Sequence, residues 1–112
     1  MKTTYIGRDA EAAVADLLKH RGYEVLAQNW RTRTCEIDII AKKAKIIYFV
    51  EVKYRTGESQ GNGFEYITPQ KLRQMRYAAE VWINDSGWSG DWRLMGAAVS
   101  GLDYDQLDLI EI

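Results

Sequence analysis

The feature that most constrains this chain is a pair of β-forming runs separated by only four residues. Glu36-Ile37-Asp38-Ile39-Ile40-Ala41 and Ile46-Ile47-Tyr48-Phe49-Val50-Glu51-Val52-Lys53-Tyr54 are rich in β-branched and aromatic side chains. The basic stretch Lys42-Lys43-Ala44-Lys45 joins them. An antiparallel hairpin is the economical reading, and strands this apolar belong near the middle of a sheet. Residues two apart in a strand share a face. Phe49, Glu51 and Lys53 therefore fall on one side, with Val50, Val52 and Tyr54 on the other. In the neighbouring run Glu36, Asp38 and Ile40 share a face, with Ile37, Ile39 and Ala41 behind. Charged groups among such neighbours cost desolvation energy and need a physical reason.

Register decides whether they meet. If Ala41 faces Ile46, Asp38 lies opposite Phe49 and Glu51 is its diagonal neighbour; if Lys42 faces Ile47, Asp38 and Glu51 are directly opposed. The register between these two sends Asp38 to the other face. Both productive registers bring two carboxylates together, a donor pair suited to Mg2+ or Mn2+. One reading is a phosphodiester-cleaving site. Asp38 and Glu51 hold a divalent metal that activates water and polarises the phosphate, and Lys53 orients the water or stabilises developing charge. The other reading is a partly buried ion-pair cluster with a structural role, although such clusters return little net stability.

The flanking segments complete an α/β pattern. Ala10, Ala13, Val14, Leu17 and Leu18 recur on one face of a helix expected from about Gly7 to Arg21, stopped by Gly22. Glu11 sits at the border of that apolar stripe, as a further ligand or a partner to the ligands. Tyr23 to Ala27 reads as a short strand followed by a polar connection, Gln28 to Thr34. Residues 55–67 read as a long loop carrying Gly57, Gly61 and Gly63. Thr68 is a good N-cap and Pro69 fits the first turn of a second helix, whose buried stripe is Leu72, Met75, Ala79, Trp82 and Ile83. Strands near Trp92–Val99 and Leu107–Ile112 follow. The order predicts one domain over residues 1–112, a mixed sheet flanked by helices.

Charge is distributed unevenly. Residues 1–76 hold 14 of the 15 Lys+Arg and 9 of the 16 Asp+Glu, so the basic side chains concentrate where the candidate site lies. That asymmetry suits a polyanionic partner, unless the acidic tail packs beside the basic part and cancels its field. Arg31, Arg33 and Arg55 flank the site in sequence, and Gln70, Lys71, Arg73 and Arg76 crowd the start of the second helix, where phosphate binds readily. Trp30, Trp88 and Trp92 are read as packing residues rather than base-stacking ones. His20, the only histidine, is read as a helix cap, and the single Cys35 as a small packed residue. Met1-Lys2-Thr3-Thr4-Tyr5 is no signal peptide and no run suits a membrane span, so a cytoplasmic protein is expected.

The runs C-E-I-D-I-I at 35–40, F-V-E-V-K-Y-R at 49–55 and N-W-R at 29–31, with the helix carrying Glu11, resemble the YraN-like bacterial family. That family is assigned to the restriction-endonuclease-like PD-(D/E)XK superfamily and is similar to archaeal Holliday-junction resolvases. The resemblance covers most of residues 7–83. It places Glu11, Asp38, Glu51 and Lys53 at the superfamily's active-site positions. It implies a restriction-endonuclease-like α/β fold and a Mg2+- or Mn2+-dependent nuclease acting on DNA, with branched or junction DNA among the candidate substrates. A homodimer would suit cleavage of two strands. Three positions depart from the family: Ala10 and Cys35 stand where it usually has glycine, and Met95 where a polar residue is expected. A nucleic-acid-binding module without turnover and a protein-interaction subunit are the alternatives.

Overall fold

The computed structural model describes residues 2–55 and 64–112, with side chains of the first helix described from Asp9 onward. Its elements run α1 (Lys2–His20), β1 (Glu24–Arg31), β2 (Glu36–Lys43), β3 (Ile46–Arg55), α2 (Pro69–Ser86), β4 (Asp91–Ser100) and β5 (Gln106–Glu111). The five strands form one sheet in chain order. β1, β2 and β3 are antiparallel neighbours, β3 and β4 are parallel, and β5 returns antiparallel to β4. The parallel pair requires a crossover, and α2 supplies it. This mixed sheet, with one helix on each face, is compatible with a restriction-endonuclease-like fold. Residues 56–63, most of the loop expected over 55–67, lie outside the described residues.

Two cores, one per sheet face, hold the layers together. Ala10, Val14, Ala15 and Leu18 of α1 pack on Ile39, Ala41, Val50, Met95, Ala97 and Val99. On the opposite face Met75, Ala78 and Ala79 of α2 pack on Ile37, Ile40, Ile47, Phe49 and Leu94. Phe49 meets Trp82 and Trp92 edge-on, so these tryptophans are packing residues, as expected. Ala10, Val14 and Leu18 of the anticipated α1 stripe are buried and Leu17 packs beside them, while Ala15 enters the core and Ala13 does not. However, the helix begins at Lys2, five residues before Gly7, and Gly22 at φ 92° ends it. α2 is delimited as its sequence predicts. Thr68 accepts from the Lys71 amide, Pro69 opens the helix, and Gly87 closes it in the left-handed conformation.

Two expectations fail at the same place. The segment Gln28–Arg31 belongs to β1 rather than to a polar connection, because Trp30 packs under α2 and pairs with Ile37. Ile37, in turn, shares the α2 face with Ile40 instead of lying behind Asp38 with Ile39 and Ala41. Alternation therefore breaks in both strands between these positions. Asn29, at φ 53°, and Asp38 are the two residues that drop out of the β1–β2 pairing there.

The β2–β3 turn is tighter than its four-residue basic stretch suggested. Lys43 pairs with Ile46, leaving Ala44 and Lys45 as the turn, both left-handed at φ 53° and 65°. Such two-residue turns favour Asn-Gly because side chains strain in that region. Lys45→Gly combined with Ala44→Asn is expected to stabilise the chain by about 1 kcal/mol, roughly 4 °C in melting midpoint. A thermal melt followed by circular dichroism checks this; an unchanged or lower midpoint contradicts it.

Candidate active site

The hairpin register is the one with Lys42 opposite Ile47. Pairing continues to Ile39↔Val50, and the next step places Asp38 against Glu51. There the backbone ladder gives way to a side chain: Asp38 Oδ2 accepts the Val52 N–H at 2.8 Å. The strands part at this point, and Asp38 and Glu51 line an open cleft of about 290 Å3. Its other walls are residues 34–36 of β2 and its preceding turn, and Lys71, Gln74, Met75 and Tyr77 of α2. Tyr77 meets Thr34 at 3.1 Å, oxygen to oxygen, and ties helix to turn at one side of the cleft.

Three carboxyl groups are linked across the break in alternation. The side chains of Asp38 and Asn29 both act to lower the carboxyl of Glu11 on α1. Burial, foremost, raises the Glu11 carboxyl above its ordinary range, and its Oε1 is buried with no hydrogen-bond partner. Asp38 is pushed up to about 6, first by burial and then by the negative Glu11 and Glu36, against the lowering effect of the Val52 N–H. Glu51 is raised by burial and by Asp38, while Lys71 works in the other direction. Of these three acids, Asp38 and Glu51 line the cleft.

The cation that meets this cluster comes from α2. Lys71 Nζ lies 2.9 Å from Glu51 Oε2. Lys53 is exposed and, among the described residues, makes no ion pair with Asp38 or Glu51. Of the other candidate nucleic-acid contacts, Arg31 pairs with Glu36 at 3.6 Å, both exposed. Arg31 and Arg33 line a second cavity of about 280 Å3 that shares Thr34, Cys35 and Glu36 with the cleft. Arg55 lies 3.7 Å from Glu65. Gln70 and Arg73 are exposed on α2 outside the cleft, and Arg76 sits over the Trp92 ring. Lys42 and Lys43 lie over Trp88 and Tyr23.

Several contributors escape sequence reading. Asn29 looked like part of a polar connection. Tyr66 donates its hydroxyl to the Glu51 carbonyl at 3.2 Å, and burial pushes its phenol well above the ordinary range. Gly96, opposite Glu51 on β4, leaves room for that turn: a Cβ there would stand 2.6 Å from Ile67 Cδ1. The only available signal for Tyr66 and Gly96 was proximity to an expected loop and strand.

Comparison with known proteins now identifies relatives. Residues 10–112 match the family described as Uncharacterised protein family UPF0102. The chain belongs to the UPF0102 family. A UPF0102 protein of Leifsonia xyli is 40% identical over 86 residues, 77% of this chain and 73% of its own length. One of Vibrio campbellii is 35% identical over 105 residues, covering 89% and 86% respectively. One of Desulfosudis oleivorans is 43% identical over 84 residues, covering 75% and 68%. The UPF0102 match takes in α1 from Ala10 onward and the whole sheet, so Glu11, Asp38, Glu51 and Lys53 all lie inside it.

The donor chemistry can be tested against a divalent cation. Among the described residues, no group of three or more His, Cys, Asp or Glu side chains is gathered to hold a metal. Two carboxyl groups on one cleft, both raised in pKa chiefly by burial, do fit one: Mg2+ is commonly held by one or two carboxylates, with water and phosphate filling its remaining positions. No helix among the described residues is long and apolar enough to cross a membrane.

Proposed function

We propose that this UPF0102 chain is a Mg2+- or Mn2+-dependent nuclease that hydrolyses phosphodiester bonds in DNA, branched or junction DNA included. The observation that carries the reading is that Asp38 and Glu51 line one open cleft where the β2–β3 pairing ends, with Asp38 held there by the Val52 N–H. The Asp38…Glu51-x-Lys53 spacing supports placing it in the PD-(D/E)XK superfamily, near Holliday-junction resolvases. Asp38 and Glu51 hold the cation; the Val52 N–H fixes the Asp38 carboxyl, and Glu11 acts on it by its charge from the α1 side. When bound, the ion supplies a water of lowered pKa and polarises the phosphate. Lys53 reaches the phosphate from the exposed end of β3, and Arg31 and Arg33 extend the path of the DNA backbone beyond the cleft. Cleavage of both strands would take two copies of the chain. The free Cys35 suits the reducing cytoplasm.

The test is direct. Labelled single-stranded, linear duplex and four-way-junction DNA are incubated with the protein in Mg2+, Mn2+ or chelator. Products are expected only with metal. Salt-sensitive binding with no product in either metal would instead favour a binding module without turnover. One observation points that way: the Lys71–Glu51 ion pair already neutralises part of the site.

A further inference from the structure

Lys71 occupies an unusual place for a helix-start lysine. Its Nζ is 2.9 Å from Glu51 Oε2, with its side chain a third exposed and that of Glu51 only a fifth. Its positive charge also acts on Asp38. The local chain explains why it is there. The Thr68 side chain caps the Lys71 amide itself, so the first turn of α2 is locked with this side chain directed at β3. The neighbours Gln70 and Arg73 point away into solvent. Lys71 is therefore the one helix-start cation built into the cleft wall.

A divalent ion held by Asp38 and Glu51 would need the same carboxylate oxygens and would be repelled by the same ammonium. We propose that Lys71 is the resident counter-cation of this carboxylate pair, which an arriving divalent ion must displace from Glu51 and whose ammonium then takes a phosphate oxygen of the DNA. Lys71 is a substrate-binding residue in this scheme. It keeps the acidic pair quiet without metal, lowers affinity for metal alone, and couples metal binding to DNA binding. The coupling follows from linkage: a phosphate offers the displaced lysine a new partner, so DNA and metal each favour the other. This inference rests on the metal-dependent reading of the site.

Mn2+ binding without DNA, measured at pH 8 by electron paramagnetic resonance of the free ion, gives a readout independent of cleavage. Lys71→Met and Lys71→Gln are each expected to tighten Mn2+ about two- to fivefold, the scale of one partly exposed ion pair removed. Lys71→Arg, which preserves the competing cation, is expected to stay near wild type. Lys19→Met, an exposed charge loss on the outer face of α1, controls for net charge. With a non-hydrolysable phosphorothioate oligonucleotide present, wild type should gain Mn2+ affinity and Lys71→Met should gain less. Equal or weaker Mn2+ binding by Lys71→Met and Lys71→Gln would overturn the inference alone. No Mn2+ binding by any of the proteins would overturn the metal-dependent reading as well.

Discussion

Replacing Glu51 with Gln is expected to lower metal-dependent DNA cleavage by at least about a hundredfold while the fold persists. The argument begins with what the substitution preserves. Gln has the same shape, so Ile39↔Val50 pairing, the Asp38–Val52 bond and the two cores on either side of the sheet are untouched. What it removes is the charge that, with Asp38, would hold the ion. A neutral amide oxygen is a weaker ligand for a hard cation, and the ion's hold would then fall to Asp38. Lys71 loses its ionic partner but remains a third exposed, so solvent takes over most of that role. Single-turnover cleavage in Mg2+ and Mn2+, beside a thermal melt of the same protein, separates the outcomes. Wild-type cleavage by a folded Glu51→Gln protein would remove Glu51 from the chemistry, and with it the proposed site.

The parts of this site that could be read in advance are those governed by local rules. The two apolar runs required a hairpin, and the hairpin offered two registers that join the carboxylates. The observed one pairs Lys42 with Ile47, and the tight turn at Ala44-Lys45 enforces it. Helix α2 was legible because Thr68, Pro69 and Gly87 mark its ends through backbone chemistry alone. Alternation misled at Ile37. Strict period-two reasoning assumes an unbroken pleat, and a left-handed Asn29 on the adjoining strand breaks it. Lys71 was legible as a cation near a helix start. Its partner was not, because that depends on how α2 lies over β3 after a long connection. Lys53 shows the converse: sharing a face with Glu51 places a side chain, whereas the end of the strand decides whether it is covered.

The second large effect concerns stability, and its direction is the opposite of what loss of a buried polar partner usually produces. Asp38→Asn is expected to stabilise the metal-free protein at pH 8 by about 2 kcal/mol, roughly 8 °C in melting midpoint. Asp38 titrates at about 6 in the folded chain against 3.8 ordinarily, burial being the main cause. A folded-state value above the unfolded one means that folding holds the proton. That contribution is complete below about pH 4 and is lost progressively as pH rises through 6, so the wild-type midpoint should decline from about pH 4 to 6.5 and level off above. Glu11 and Glu51 are raised in the same direction and add to the slope. Asparagine can still accept the Val52 N–H, and its charge no longer changes, so the variant's curve should flatten over that window. Mg2+ or Mn2+ should lift wild type above pH 6 by binding the ionised pair, and lift Asp38→Asn far less. A wild-type midpoint that rises from about pH 4 to 6.5 without metal, or a variant less stable than wild type at pH 8, would show that Asp38 is compensated within the fold. Its charge would then serve the structure, and no divalent ion would be needed to explain a carboxylate kept at this cost.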